Sequence, residues 1–372
     1  MGVYELGKLL SYEQPAQYIV KTTDYNDSYK TPVLTAGKSF ILGYTNEKDD
    51  IYTNLPVIIF DDFTTASKYV NFPFKVKSSA MKILTADPKL VLPKYIYYRM
   101  QIINFDSSTH KRYWIQQYSK IKVDIPSLIE QKRIVSKIEE LFSDLDKGVE
   151  TLKDTKAKLA VYRQAVLKET FDSLNGCMKQ SIQYVCSNIV DCPHSTPKWV
   201  DKGRLCLRTT NFKRGYLDLS EKNYVSDETF SQRNSRLVPL PGDILYSREG
   251  AILGIACIIP EDLYVCLGQR MMLLRVNVLM INKFLMYYLN SPLVTSYVSS
   301  ITGGSASPHV NVGDIKKFSI PVPTIPQQKS IIEQIETKLS VCNSIEQTIT
   351  IALQQAETMR QSILKQAFEG RL

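Results

Sequence analysis

The chain has 372 residues, of which 44% are hydrophobic and 22% are charged, and its formal net charge is +9. This length supports two domains or slightly more, and the composition is that of an ordinary globular protein that can bury large cores. No apolar run approaches the roughly 18 residues of a membrane span, and the N-terminus lacks a basic-then-apolar signal. We therefore expect a cytoplasmic protein that makes no membrane contact.

Residues 1–125 are predicted to form the first globular domain. Short strand-like runs, such as 55–60 and 80–84, alternate with turns, and a short helix is expected over 94–103. The domain is rich in aromatic residues, and polar clusters lie between Phe60 and Lys68 and just before Trp114.

The next segment, residues 126–176, is predicted to be one long helix. Ser127 and Glu130 match a capping box, Pro126 discourages an earlier start, and Gly176 lies just beyond the end. Steps of alternately four and three residues visit mostly apolar side chains, as in a coiled coil. The predicted seam consists of Ile134, Ile138, Leu141, Leu145, Gly148, Leu152, Thr155, Leu159, Tyr162 and Val166.

Residues 177–322 are predicted to form a second globular domain with the same outline as the first. In both, a strand enters a polar loop, a second strand and a helical piece follow, and a Ser-rich loop with a histidine precedes the next long helix. The clearest patches of the second domain lie at 191–197, 241–250, 267–272 and 303–311.

Residues 323–372 repeat the long helix at a constant offset of 197, and a repeat of this length indicates two copies of one plan. Thr324 and Gln327 form the second capping-box pattern, and Gly370 follows the helix end. The predicted seam consists of Ile331, Ile335, Lys338, Cys342, Ile345, Ile349, Ala352, Ala356, Met359 and Ile363. We predict an α+β protein in which two domains are separated by two long helices that form an antiparallel coiled coil, with pseudo-twofold symmetry.

The positive charge is concentrated in the two globular segments. Residues 1–129 carry 16 basic and 12 acidic side chains, and residues 173–326 carry 16 and 11, whereas the long helices are close to neutral. We therefore expect the globular segments, and not the helices, to meet a polyanion such as DNA.

The loops supply side chains that can bind phosphates and pair with base edges. Taken singly, these residues have a simpler interpretation: Arg248 would form an ion pair with Glu249, and Asp61 would cap its own loop. The candidate DNA contacts of the first domain are Asp61, Thr64, Thr65, Lys68, His110, Lys111 and Arg112. Those of the second are His194, Ser247, Arg248, Gln269, Arg270, Ser305, His309 and Asn311.

The sequence lacks the motifs of an enzyme. There is no phosphate-binding G-x-x-x-x-G-K-[ST] loop and no G-x-S-x-G nucleophile elbow, and the segment 290–293 is a poor match to a methyltransferase target-base loop. The seven cysteines contain no C-x-x-C pair, which favours reduced, buried thiols. A metal site at Cys186, Cys192 and His194 has no standard zinc spacing, so neither catalytic residues nor a bound metal are predicted.

The whole chain resembles the specificity subunit of type I restriction–modification systems. The resemblance is carried by PSLIEQKRIV at 126–135, VPTIPQQKSII at 322–332 and the R-Q-x-[VI]-L-K-x-x-F endings at 163–171 and 360–368. The first domain is similar to the recognition domains with FDDFTTAS at 60–67, and the second to those with GDILYSR at 242–248.

The resemblance implies a subunit without catalytic activity or cofactor of its own. Such a subunit recognises a bipartite sequence in double-stranded DNA and recruits two modification subunits, which bind S-adenosylmethionine and methylate adenine. Restriction subunits, which use ATP and Mg, join for cleavage, and the long helices act as spacer and docking surface. Two alternatives are a coiled-coil scaffold without DNA recognition and a fused DNA methyltransferase.

Overall fold

The computed structural model describes residues 2–35, 40–107, 112–250, 252–303 and 308–372. The chain divides into two compact units. Unit 1 consists of Met1–Leu152 with Ile351–Leu372, and unit 2 consists of Lys153–Thr350. Both long helices begin in one unit and end in the other. None of the helices in the described ranges is both long and apolar enough to cross a membrane.

Unit 1 combines small β-sheets with two short α-helices and a part of each long helix. Its strands are β1 (Gly2–Glu5), β2 (Leu10–Glu13), β3 (Thr31–Leu34), β4 (Ile41–Thr45), β5 (Val57–Asp61), β6 (Ser67–Val70), β7 (Lys75–Val76), β8 (Met81–Ala86) and β9 (Lys122–Ile125). Its helices are α1 (Leu6–Leu9), α2 (Pro93–Met100), the first part of α3 (Leu128–Asp172) and the last part of α9 (Ile325–Phe368).

The central sheet of unit 1 has the strand order β2-β8-β5-β6, a second sheet has the order β4-β3-β7, and β1 pairs with β9. Strand β5 is an apolar run that is buried on both faces. Because side chains alternate along a strand, Ile58 and Phe60 enter the core beneath α2, whereas Val57 and Ile59 pack toward the second sheet.

Unit 2 repeats this plan with additional short strands. Its strands are β10 (Lys179–Ser181), β11 (Cys186–Asp191), β12 (Trp199–Val200), β13 (Arg204–Leu207), β14 (Phe212–Lys213), β15 (Tyr216–Leu217), β16 (Tyr224–Val225), β17 (Ile244–Ser247), β18 (Ala256–Ile258), β19 (Cys266–Leu267), β20 (Met271–Val276) and β21 (Ser319–Pro321). Its helices are the last part of α3, α4 (Ile182–Val185), α5 (Asp227–Arg233), α6 (Asn282–Leu289), α7 (Pro292–Thr302), α8 (Val312–Lys316) and the first part of α9 (Ile325–Phe368).

The central sheet of unit 2, β11-β20-β17-β18, has the same order as that of unit 1, and the pair β10-β21 corresponds to β1-β9. Strand β17 again divides its side chains between two cores, with Ile244 and Tyr246 on one face and Leu245 on the other. The second sheet, β12-β16-β13-β19, contains the parallel pair β13-β19. The two units are therefore versions of one α+β plan.

Each long helix begins with half of its predicted capping box. At the start of α3, the Glu130 N–H donates to Ser127 Oγ at 3.3 Å, whereas the Glu130 carboxylate pairs with Arg133 instead of reaching back. At the start of α9, the Gln327 Oε1 accepts from the Thr324 N–H at 2.9 Å. Either bond satisfies one amide that the helix leaves unpaired.

A buried glutamine one turn into α3 joins the helix to the segment before α2. Gln131 has no exposed surface. Its Oε1 accepts from the Leu92 N–H at 2.8 Å, and its Nε2 donates to the Leu90 and Pro126 carbonyls, each at 3.0 Å. These bonds satisfy two backbone groups just before α2 and one just before α3, and they connect the two segments.

Gln328 in α9 repeats these bonds in unit 2. Its Oε1 accepts from the Ile281 N–H at 2.7 Å, and its Nε2 donates to the Leu279 and Pro323 carbonyls, each at 2.9 Å. It too has no exposed surface. Both long helices are thus fixed to the segment that precedes the short helix of a unit.

The other end of each long helix is fixed by an aromatic side chain. Near the end of α3, Phe171 makes edge-on contacts with Phe284 and Tyr288 of α6, with ring centroids 5.5 and 5.1 Å apart. Near the end of α9, Phe368 lies edge-on to Tyr95 of α2 at 5.2 Å. Each helix end packs against the short helix of the unit that it enters. Each unit therefore contacts the start of one long helix and the end of the other.

The two long helices pack antiparallel within both units, which confirms the predicted fold class. In unit 1, Arg360 of α9 pairs with Asp146 of α3 and lies 4.3 Å from the centre of the Phe142 ring. In unit 2, Arg163 of α3 donates to Asn343 at 2.8 Å and to Glu346 at 2.9 Å. Residue numbers rise along one helix as they fall along the other.

The predicted seam is correct for most positions and wrong at five. The side chains at the wrong positions are exposed, and at all five the next residue is less exposed: Val149, Arg163, Leu339, Glu346 and Arg360. A straight α-helix has 3.6 residues per turn, so a strict 3.5-residue pattern drifts out of phase over several turns. The five exposed positions are Gly148, Tyr162, Lys338, Ile345 and Met359.

Replacing a buried anchor glutamine should destabilise the unit that it holds. For Gln328→Ala we expect the free energy of unfolding to fall by about 1–3 kcal/mol, because the Ile281 N–H and two carbonyls lose their partner. Urea denaturation measures this loss, and Gln347→Ala, at an exposed position of α9, is the control. Equal stability of the two variants would contradict the anchoring role.

Candidate nucleic-acid interface

The candidate residues of unit 2 lie at one edge of its central sheet. Strands β11 and β17 end there, at Asp191 and Ser247, and β20 begins there, at Met271, which is paired with Ser247. The loops that follow or precede these strands therefore meet. They carry His194, Arg248, Gln269 and Arg270.

Arg248 is buried and surrounded by acceptors. Its guanidinium binds Asp191 in a two-pronged manner at 2.8 and 3.1 Å and pairs with Glu249 at 2.7 Å. A third contact, at 3.3 Å, is made with His194 Nδ1. Only 5% of Arg248 is exposed. The arginine therefore connects the loop after β11 to the loop after β17.

Ser247 and Gln269 also bind neighbouring loops. Ser247 is fully buried, and its Oγ accepts from the Ile255 N–H at 2.9 Å and donates to the Ile252 carbonyl. The Gln269 side chain donates to the His194 carbonyl and accepts from Thr196 Oγ1 at 3.3 Å.

Arg270 differs from these residues because its side chain is exposed. Its backbone adopts the left-handed region with φ = 67°, and its guanidinium lies beside Gly250, whose own φ is 83°. Within the described part of the chain, no carboxylate forms an ion pair with Arg270. A cation presented in this way can bind a phosphate or a base edge.

Two further candidates of unit 2 are exposed. His309 forms an isolated bridge with Glu249, and the Asn311 amide contacts Asp314 at 3.3 Å. Ser305 lies outside the described residues.

In unit 1 the corresponding edge is held by two aspartates. Asp61 Oδ1 accepts from the Phe63 N–H at 2.9 Å, which caps the loop. Asp62 is buried, accepts from the Trp114 N–H at 2.8 Å and pairs with the equally buried Lys82 at 3.4 Å. Both carboxylates therefore stabilise the loop that contains them.

Asp62 and Arg248 occupy equivalent positions. The Asp62 N–H donates to the Ala80 carbonyl, and in the same way the Arg248 N–H donates to the Arg270 carbonyl. The Asp62 carbonyl accepts from the Tyr113 N–H, and the Arg248 carbonyl accepts from the Val310 N–H; both donors lie before the next long helix. The backbone frame is thus the same, whereas the side chain is acidic in one unit and basic in the other.

The remaining candidates of unit 1 are more accessible. Thr64, Lys68 and Arg112 are exposed, and Thr65 has a left-handed φ of 59°. His110 and Lys111 lie outside the described residues.

Sequence reasoning missed Arg233, at the end of α5. This arginine is 7% exposed, and it donates to the carbonyls of Leu267 at 2.6 Å, Gly268 at 2.7 Å, Ser195 at 3.1 Å and Pro193 at 3.2 Å. It therefore joins the loop after β11 to the loop after β19. In the sequence it is one polar residue of a short polar helix, and no motif distinguishes it.

The cysteines are buried thiols at most positions. Burial raises the pKa of Cys186 to about 12 and also raises the pKa of Cys192. In the described ranges no group of three or more His, Cys, Asp or Glu side chains is arranged to hold a metal ion.

Removing the Arg233 side chain should loosen both loops that it joins. For Arg233→Met we expect the free energy of unfolding of unit 2 to fall by about 2–4 kcal/mol, because four carbonyls, two of them buried, lose a charged donor. Amide hydrogen exchange should become faster at 193–196 and 267–270, whereas the exposed control Lys202→Met should not change it. Unchanged exchange in Arg233→Met would refute this role.

Comparison with known proteins identifies the family. The family model for the type I restriction modification DNA specificity domain matches residues 1–157 and 207–355. The EcoR124I/EcoR124II specificity subunit of Escherichia coli is 31% identical over 360 residues, which cover 91% of this chain and 87% of that subunit. The MjaVIII specificity subunit of Methanocaldococcus jannaschii is 22% identical over 373 residues, which cover 92% and 86%.

A solved structure shows the same fold. A chain from a study of complex assembly and conformational transition of the type I R-M system superposes with a TM-score of 0.65 at 16% identity, over 99% of this chain and 100% of that chain. The family model covers well over half of the sequence, and the chain therefore belongs to the DNA specificity subunits of type I restriction–modification systems.

Proposed function

We propose that this specificity subunit reads a bipartite DNA target, one half with the recognition part of each unit. The observation that supports this most directly is the repetition of one loop frame, at the same edge of the same sheet, with different side chains. Two such frames in one chain can recognise two unrelated short sequences. The predicted division into recognition domains at 1–125 and 177–322 and helices at 126–176 and 323–372 belongs to this proposal.

The exposed candidates are the proposed DNA contacts, and the buried ones support them. Lys68, Arg112, Arg270 and Asn311 present donors to solvent. Three further candidates, His110, Lys111 and Ser305, lie outside the described residues and stay predictions. The buried residues Asp61, Ser247 and Arg248 hold the loops in one conformation, which lowers the entropy lost on binding.

The chemistry is assigned to partner subunits. We propose that two modification subunits bind S-adenosylmethionine and methylate adenine in the bound target, and that restriction subunits, which use ATP and Mg, cleave the DNA. The long helices, of 45 and 44 residues, would provide the docking surface and the spacer. A helix of this length extends for about 65 Å.

The length of the helical pair should determine the number of unread base pairs between the two half-sites. Deleting residues 152–158 together with 348–354, seven residues from each helix, shortens each helix by about 10 Å. At about 3.4 Å per base pair, we expect the tolerated gap to shorten by roughly three base pairs. Both half-sites should stay the same.

Methylome sequencing of cells that carry the chain and its modification subunit measures the gap and the half-sites together. Deleting residues 152–158 alone is the control, because it breaks the register of the pair and should abolish recognition. Altered half-sites with an unchanged gap would refute the spacer role.

Arg270→Ala should impair the recognition of one half-site only. If the guanidinium pairs with a base, we expect a loss of about 1–3 kcal/mol for that half-site. Arg270→Lys keeps the charge but loses the two-pronged geometry, so it should be nearly as impaired. The exposed Lys179 of β10 provides the control variant Lys179→Ala. Equal weakening on every DNA sequence would show a phosphate contact instead.

A further inference from the structure

A second exposed arginine of unit 2 lies close to the proposed reading edge. Arg208 directly follows β13, which runs parallel to β19 with Leu207 opposite Leu267. The Gly268 N–H donates to the Leu207 carbonyl at 2.8 Å. The two strands therefore end side by side, and Arg208 emerges at the same edge as Gln269 and Arg270.

The close approach of these two strand ends requires a glycine. A Cβ at Gly268 would lie 2.5 Å from the Leu207 carbonyl oxygen, so any larger residue would separate β13 from β19. Arg233 strengthens the same junction by binding the carbonyls of Leu267 and Gly268. The position of Arg208 relative to the loop of Arg270 is thus fixed by the backbone.

An exposed tryptophan orients the Arg208 side chain. The guanidinium lies 5.7 Å from the centre of the Trp199 ring, and 39% of Trp199 is exposed. Stacking on an aromatic face restricts the guanidinium while its N–H groups stay available to a ligand. Trp199 itself is placed by β12, which follows the loop that contains His194 and Thr196.

The charge around Arg208 favours an anionic partner. In the described part of the protein Arg208 forms no ion pair, and the carboxylates of Asp191 and Glu249 at this edge are both paired with Arg248. Lys198, next to Trp199, is exposed as well. An oriented, unpaired arginine beside Arg270 is the kind of group that pairs with guanine in the major groove.

Arg204 shows that exposure alone does not create such a group. It begins the same strand, is exposed and lies 5.9 Å from the Phe230 ring centre, but it pairs with Asp227 at 2.7 Å. Its charge is therefore compensated within the protein. Arg204 and Arg208 form a matched pair that differs in the presence of an acidic partner.

We propose that Arg208, positioned by Trp199, contacts a base of the half-site read by unit 2 and determines specificity at that base pair. This inference rests on the proposed reading of one half-site by each unit. It extends the reading edge from the central sheet to the second sheet of unit 2.

The test uses the full chain assembled with its modification subunits and S-adenosylmethionine, acting on a library of duplexes randomised at each half-site position. Methylated duplexes are sequenced. For Arg208→Ala we expect discrimination at one position of one half-site to fall by about 5- to 150-fold, with the other half-site unchanged. Arg204→Ala should behave as the wild-type chain.

Trp199 is tested by rescue. Trp199→Ala should relax the same base position as Arg208→Ala, whereas Trp199→Phe, which keeps an aromatic face, should retain most of the discrimination. Relaxation by both tryptophan variants at unrelated positions would overturn the positioning role, because it would indicate a general loss of structure.

Three results would overturn the inference. Unchanged discrimination in Arg208→Ala would exclude a role for Arg208, and equal weakening on all duplexes would identify a phosphate contact without specificity. If methylation by the wild-type complex showed no half-site preference, the proposed function would fail as well, so the two failures can be told apart.

Discussion

The fold depends on the attachment of each long helix by a buried glutamine. Gln131 and Gln328 form the same three backbone hydrogen bonds in their units, without solvent exposure. A buried amide that satisfies one donor and two acceptors is costly to displace. Phe171 and Phe368 fix the opposite helix ends against the short helices α6 and α2. Each unit therefore holds parts of two long helices at defined positions. The repeated helix sequence thus makes the same contacts in both units.

The reading edges separate the residues that maintain shape from those that can meet DNA. Asp62 forms a buried ion pair with Lys82 in unit 1, and at the same backbone position of unit 2 the buried Arg248 pairs with the partly buried Asp191. Removing Lys82 would leave Asp62 as an unpaired buried charge, which is strongly unfavourable. The exposed side chains beside them have no such constraint. A frame of this kind permits surface residues to differ between units while the backbone stays the same. Membership in the family excludes the two alternative interpretations, a coiled-coil scaffold and a fused methyltransferase.

Much of the architecture could be predicted from the sequence because long, regular sequence patterns determine it. The offset of 197 predicted both helices, and the structure has them at Leu128–Asp172 and Ile325–Phe368. The phase of the seam was less predictable, since a residue such as Glu346 faces inward to meet an arginine and not because it is apolar. Burial of Arg248 and the four carbonyl bonds of Arg233 depend on loops that meet only in the folded chain. No local pattern reports such contacts.

Arg208 is a second example of a residue whose surroundings the sequence does not predict. In the sequence, Arg204 and Arg208 are two basic residues of one strand region, and nothing distinguishes them. In the structure one is neutralised by Asp227, whereas the other lies beside Trp199 at the junction of β13 and β19. The difference comes from the strands beside β13: the antiparallel strand β16 leads to Asp227 next to Arg204, whereas the parallel pairing with β19 places Arg208 at the same edge as Arg270. A reading surface is therefore a property of the sheet edge, to which distant segments of the sequence each contribute one or two side chains.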